Sequence, residues 1–236
     1  MLRIDHLILA VDDLDGAMQD FTALGFTVRF GGVHASGATH NALITFQDGT
    51  YLELMAPTGQ MAKPHTADYT FLFSRGEGWA GFCLSSDDLP ADAELIRSRG
   101  GNVGKVGEGG RIRPDGVEMR WRSAWIDDLA LPFVMQDLTS RTLRVTDDPT
   151  LTAHDNGASG IASLSVTDSP WGVPVPLNQR FEAVFGVADA RGVYTCGGVP
   201  IWMTTPGGTH DAITGLSLHG LKRPVSTHSI TIKPAS

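Results

Sequence analysis

The feature that most constrains this 236-residue chain is that its opening supersecondary pattern returns. Ile4 to Val11 is an almost unbroken apolar run of strand length, interrupted by Asp5 and His6, as in a strand covered on both faces. Asp12-Asp13-Leu14-Asp15 supplies capping carboxylates for a helix whose face carries Ala17, Met18, Phe21 and Leu24, and Gly25 closes it. Strands are then expected over Phe26 to Phe30, Ala42 to Phe46 and Tyr51 to Ala56. The Asp48-Gly49 turn between the last two is a hairpin signal. The order is strand, helix, strand, strand, strand, over residues 1–57.

The second pass covers residues 79–138. Trp79 to Ser86 is apolar, Asp87-Asp88-Leu89 repeats the cap, and Ala93, Leu95, Ile96 and Arg99 predict a helix closed by Gly100-Gly101. Strands are expected over Val117 to Ala124 and Pro132 to Gln136. Setting Asp12-Asp13-Leu14 on Asp87-Asp88-Leu89 places Leu9 on Leu84, Leu7 on Phe82 and His6 on Gly81, an internal repeat of one supersecondary unit. A fainter third unit spans 159–236, after a Thr-, Asp- and Asn-rich linker from Thr139 to Ala158. Its strands are expected at Ile161–Val166, Val193–Cys196, Val199–Thr204, Ile213–Leu218 and Ser229–Lys233, with a short helix at Phe181–Phe185. The fold class is α+β: repeated βαβββ modules whose curled mixed sheets form a cup.

Three residues of the first unit stand out as chemistry. His6 alternates with Ile4, Ile8 and Ala10, Glu53 is flanked by apolar residues in Tyr51-Leu52-Glu53-Leu54-Met55, and His40 opens the following strand pattern. A carboxylate buried in an apolar strand needs a cation, a hydrogen-bond donor or a proton. Two imidazoles and one carboxylate with open positions suit iron, manganese, nickel or zinc. The alternatives are a Glu53 paired with Arg3 or Arg29, a Glu53 that projects into solvent at a sheet edge, and a His6 that is simply a satisfied core histidine.

At these residues the chain resembles the glyoxalase-like branch of the vicinal-oxygen-chelate superfamily. The resemblance lies in Ile4-Asp5-His6-Leu7-Ile8-Leu9-Ala10-Val11-Asp12-Asp13-Leu14, in Gly37-Ala38-Thr39-His40-Asn41-Ala42-Leu43 and in Gly49-Thr50-Tyr51-Leu52-Glu53-Leu54-Met55-Ala56-Pro57. A further segment, Arg111-Ile112-Arg113-Pro114-Asp115-Gly116-Val117-Glu118-Met119-Arg120-Trp121, is similar to the same branch. It implies paired modules around a cup, a divalent metal on first-strand and last-strand residues, and isomerase, lyase or dioxygenase chemistry on a small oxygenated molecule. The expected metal set is His6, His40 and Glu53, with Glu53 also the catalytic carboxylate. The second module departs from that pattern: Gly81 stands at the first-strand ligand position and Phe133-Val134-Met135 offers no carboxylate. A fuller set would draw on His40 or on His210 or His219. The departure favours a rival from another class, a metal-free small-molecule binding or sequestration protein. A homodimer is a further implication of the resemblance.

Other features carry less. Arg111, Arg113, Arg120 and Arg122 surround an expected hairpin. Arg120 and Arg122 share one strand face, opposite Met119, Trp121 and Ser123. They are candidates to clamp a substrate carboxylate or phosphate, against the plainer reading of a solvated strand face. Gly104 to Gly110 lacks the Gly-Lys-Ser/Thr ending of a phosphate loop and reads as a flexible turn. Pro206-Gly207-Gly208-Thr209-His210-Asp211 sets a His beside an Asp in a turn. A formal net charge of −8 argues against nucleic acid as partner. Cys83 and Cys196 have no metal-type spacing and read as reduced thiols. No signal pattern opens the chain, and Gly, Pro and Thr fill the uncharged stretch Gly192–His210, so no membrane helix is expected and the chain is expected to be cytoplasmic.

Overall fold

A computed structural model describes residues 1–112, 116–126, 128, 130–168, 175–204 and 212–235. The first unit runs β1 (Arg3–Ala10), α1 (Leu14–Ala23), β2 (Arg29–Val33), β3 (Thr39–Thr45) and β4 (Tyr51–Pro57). The second runs β5 (Gly78–Ser85), α2 (Leu89–Ser98), β6 (Gly107–Ile112), β7 (Glu118–Ala124) and β8 (Phe133–Asp137). Both helices start as the repeated cap predicts: Asp13 accepts from the Asp15 amide, and Asp88 from the Ala91 amide.

The eight strands form one sheet, ordered β2-β3-β4-β1-β5-β8-β7-β6. β1 pairs β4 in parallel and β5 antiparallel, while β5 pairs β8 in parallel. The sheet therefore consists of two equivalent halves joined at the β1–β5 seam, and it curls into a half-barrel. Its two edges meet over the mouth: a Cβ on Gly32 of β2 would stand 2.8 Å from Arg111 Nη1 of β6. Gly32 has φ +127°, a left-handed conformation that favours glycine.

Side chains alternate across the strands. Leu7, Leu9, Leu52, Leu54, Phe82, Leu84 and Val134 face the main core, where Phe21 of α1 and Ile96 of α2 pack on them. Ile8, Met55, Cys83, Phe133 and Met135 face the concave side with Leu72.

After the linker, which includes α3 (Pro149–Thr152), come β9 (Gly160–Thr167), α4 (Leu177–Phe185), β10 (Val193–Cys196) and β11 (Val199–Thr204). β12 (Ala212–His219), β13 (Val225–Thr227) and β14 (Ile230–Pro234) complete a six-stranded sheet, ordered β10-β11-β9-β12-β14-β13. β11 runs parallel to β9, β12 antiparallel to β9, and β14 parallel to β12. The third unit is thus a shortened version of the same paired arrangement. Its Leu164, Ile201, Leu216 and Ile232 share the main core with the first sheet.

Two expectations shift. The second strand begins at Arg29 rather than Phe26, because the linker holds the preceding residues: the Thr27 amide donates to His154 Nδ1, and the Asn156 amide to the Gly25 carbonyl. The Gly-rich segment is also no free turn. Gly107 to Ile112 is edge strand β6, registered residue by residue on β7. Glycine is needed there, since a Cβ on Gly109 would stand 2.6 Å from the Trp121 indole nitrogen. Among the described residues no helix is long and apolar enough to cross a membrane.

Candidate functional site

The concave face of the large sheet carries the polar cluster. In register, His6 lies beside Tyr51 and Ile8 beside Glu53, so His6 and Glu53 emerge on the same face of adjacent parallel strands. His6 is 2% exposed and Glu53 6%. His6 Nε2 stands 3.3 Å from Glu53 Oε2, and His6 Nδ1 stands 2.7 Å from Asp5 Oδ1. The imidazole is therefore held between two carboxylates, with its ring stacked on Tyr51 at 4.4 Å.

Asp5 explains how that arrangement survives burial. Although fully buried, it is clamped by Arg141, through a short contact to Oδ2, and by Arg144, whose Nη1 and Nη2 lie 3.2 Å from its two oxygens. Burial alone would push the Asp5 carboxyl upward. The Arg144 charge foremost, with His6 and Arg141, holds it well below the usual range. Arg144 also bonds Asp137 and the Tyr51 hydroxyl. An ionised Asp5 accepts the His6 Nδ1 proton, and His6 Nε2 on the other side of the ring faces Glu53. That nitrogen is buried and has no hydrogen-bond partner among the described residues.

Glu53 is satisfied on its other side. Asn41 Nδ2 donates to Oε1 at 2.6 Å, and His34 Nε2 lies 3.4 Å from the same oxygen. His34 Nδ1 meets the Thr39 hydroxyl at 2.7 Å. Burial pushes the Glu53 carboxyl upward, but His34, His6 and Asn41 together hold it down to about 2. It is a carboxylate with an imidazole on each oxygen. Neither Arg3 nor Arg29 is its partner; Arg3 pairs with Asp87.

His40, expected to complete this set, does not join it. β3 presents Asn41 and Leu43 to the cavity, so the adjacent His40 falls on the opposite face, edge-on to Phe30. His34, in the connection between β2 and β3, approaches Glu53 instead. The signal was present: His40 shares parity with Ala42 and Ile44, both buried in the main core. Arg120 and Arg122 are likewise displaced. They sit half-exposed on the outer face of β7 and share Glu108, at 3.0 and 3.4 Å. Trp121, Met119 and Ser123 face inward instead. The cations that line the cavity are Arg111 and Arg144. His219 lies in the second sheet opposite Gly160, and Arg113, His210 and Asp211 lie outside the described residues.

The second half supplies apolar counterparts. Gly81 faces Ile8 across the seam, and Phe133 pairs Cys83 in the register that Glu53 keeps with Ile8. Phe133 stacks on Trp125 at 4.2 Å.

The donor chemistry at His6, Glu53 and His34 fits a divalent metal. Two donors sharing one ion at about 2.0–2.2 Å stand roughly 3–3.5 Å apart, the spacing of each imidazole from its own Glu53 oxygen, although the three residues do not bring one ligand atom each within 4.8 Å of one another. The orphaned His6 Nε2 has a carboxylate on its far nitrogen, the support a ligating histidine requires. Among the described residues, Asp5, His6 and Cys83 are the group that does bring one ligand atom each within 4.8 Å of one another. That group fits poorly, because two arginines already neutralise Asp5 and burial keeps the Cys83 thiol protonated.

Paired modules around a polar cup define a class, and comparison with known proteins gives its family. A family model described as a glyoxalase-like domain matches residues 4–171, and the chain belongs to that family. No curated protein sequence matches it. Among solved structures, a hypothetical protein from Staphylococcus aureus is similar over 100% of this chain and 99% of its own, with a TM-score of 0.75 and 17% identity. A xylose isomerase-like TIM barrel/4-hydroxyphenylpyruvate dioxygenase fusion protein matches 92% of this chain with 36% of its own, at a TM-score of 0.54 and 15% identity. These two share the fold. Methylmalonyl-CoA epimerase of Streptomyces coelicolor, in complex with 2-nitronate-propionyl-CoA, is 28% identical over 57% of this chain and 95% of its own, with a TM-score of 0.41.

Proposed function

We propose that the chain is a metal-dependent enzyme of lyase, isomerase or dioxygenase type acting on a small oxygenated substrate, with His6, His34 and Glu53 as protein ligands. One observation carries the reading: His6 Nε2 is buried, lacks a hydrogen-bond partner and faces an ionised carboxylate, while Asp5 holds the opposite ring nitrogen. At 3.3 Å from a carboxylate, that nitrogen calls for either a proton or a metal ion between the two groups, and the missing hydrogen bond favours the metal. Bound there, iron, manganese, nickel or zinc would supply Lewis acidity to neighbouring substrate oxygens as an enolate or oxyanion develops.

The protein's own residues set the conditions. Asp5 fixes the His6 tautomer, and Asn41 fixes one Glu53 oxygen. Tyr69 and Trp121 wall the pocket against water, and burial foremost, with the Glu53 charge, keeps the Tyr69 phenol neutral by raising it to about 12. Arg111 at the mouth is placed to orient an anionic oxygen of the substrate.

Chelator-stripped protein should take up close to one Mn²⁺, Ni²⁺, Zn²⁺ or Fe²⁺ per chain and melt at a higher temperature with it. His6→Ala, His34→Ala and Glu53→Gln should each abolish uptake, whereas His40→Ala should leave it intact. A wild-type melting temperature indifferent to all four ions would overturn the reading. It would favour the rival in which His6 is an imidazolium in a metal-free binding protein, as the apolar counterparts Gly81 and Phe133 suggest.

A further inference from the structure

We infer that a second cleft, adjoining the candidate metal cup, receives an uncharged apolar arm of the substrate, so that the ligand is bipartite: an oxygenated head and a neutral tail. The inference rests on the proposed function for the head only.

The cup itself is small, about 90 Å³, and the cleft beside it measures about 820 Å³. Ile8, Tyr69, Trp125 and Phe133 line both, so the two cavities adjoin across these four side chains. The cleft exists because the second half of the sheet is incomplete beside the seam. β8 pairs only with Cys83, Leu84 and Ser85 of β5, and the earlier part of β5 is left facing the gap. Gly81 keeps it open: a Cβ there would meet only Leu72 Cδ2, at 4.0 Å. The position that forgoes a metal ligand in the second half is the position that makes room.

The walls select the tail. Tyr69, Phe71, Trp125 and Phe133 supply ring surface, and apolar contact of this kind rewards uncharged area. Among the described residues the cleft wall holds two carboxylates, Asp68 and Asp128, and no lysine or arginine. Asp128 is paired with Arg180. The cup is lined by Arg111 and Arg144 together with the Glu53 carboxylate, and Arg144 is held by Asp5 and Asp137. An anionic tail would enter a wall of its own sign.

Hydroxamates test this, since each offers two adjacent oxygens to a metal. On the Mn²⁺-loaded full chain, followed by calorimetry and tryptophan fluorescence, octanohydroxamate should bind at least about 10-fold tighter than acetohydroxamate. The monohydroxamate of suberic acid, similar in length but ending in a carboxylate, should lose most of that advantage. Gly81→Val, whose side chain enters open space, should keep acetohydroxamate affinity and bring octanohydroxamate within about threefold of it. Octanol alone should perturb wild-type fluorescence but not that of Gly81→Val, with or without metal. Equal affinities for the acetyl and octanoyl compounds, or a carboxylate tail that binds as tightly as the neutral one, would overturn the inference. If acetohydroxamate fails to bind while octanol still distinguishes wild type from Gly81→Val, the metal reading falls and the cleft stands.

Discussion

The two halves of the large sheet have the same order of elements and the same pairing, yet they differ in what they bury. The first half encloses charge: Asp5, His6 and Glu53 are all under 7% exposed. At the equivalent places the second half has Ala80, Gly81 and Phe133. The linker follows that contrast in part: His154 bonds Thr27 and Thr45 in the first half, while Arg141 and Arg144 tie Asp5 of the first half to Asp137 at the end of β8. A duplicated frame has specialised: one copy holds the polar centre, and the other provides space and ring surface. Equivalent backbones do not require equivalent chemistry.

The largest test of that contrast is Arg144. Replacing it with Met removes the foremost counter-charge of a fully buried carboxylate, and a broken buried pair costs about 3–5 kcal/mol. Urea denaturation of Arg144→Met should show a loss of that size, and the double variant Arg144→Met with Asp5→Leu should recover much of it, because both charges are then gone. A loss below about 1 kcal/mol would mean that Arg141 alone suffices. The asymmetry of the halves would then be less costly than the geometry indicates.

A second test concerns how the linker grips the first half. His154 Nδ1 accepts from the Thr27 amide, its Nε2 meets the Thr45 carbonyl at 3.2 Å, and its ring lies edge-on to Phe26 and Phe46. Accepting at Nδ1 requires the neutral ring, and burial lowers the His154 pKa. The folded value lies below the unfolded one near 6.5, so the group's contribution is complete above that pH. It declines as pH falls from about 6.5 toward the folded value. His154→Gln should cost about 1–3 kcal/mol at neutral pH. Its melting temperature should also fall less steeply than wild type between pH 7 and 5. Parallel profiles would show that this histidine is not the acid-sensitive link.

Much of this was legible in the chain, and what was missed follows a pattern. The repeat, both helix caps, His6, Glu53 and the vacancies at Gly81 and Phe133 lie in regular elements, where alternation reports environment. The parity of β7 was also readable, but which face of it points inward depends on how the sheet curls, and that curl puts Arg120 and Arg122 on the solvated face, the second of the two readings offered for them. His34 lies in an irregular, polar connection with no periodicity to mark it. Arg141 and Arg144 belong to a linker whose composition reads as spacer, and only the folded chain brings them to Asp5, more than 130 positions away. Local pattern reports burial well; it does not report which distant charge answers a buried one.

The smallest expected effect probes the vacancy itself. Gly81 does not have the left-handed backbone of Gly32, and the space above it is open. An alanine there fits the strand and restricts the unfolded chain, so Gly81→Ala should stabilise by about 0.4–1 kcal/mol. Gly32→Ala should do the opposite by about 1–3 kcal/mol, since φ +127° disfavours any side chain and Arg111 stands where the Cβ would go. Thermal melts of the two variants therefore ought to move in opposite directions. If Gly81→Ala also lowers the melting temperature, Leu72 packs more tightly over that position than the 4.0 Å separation indicates. The second half would then be closed where it is here described as open.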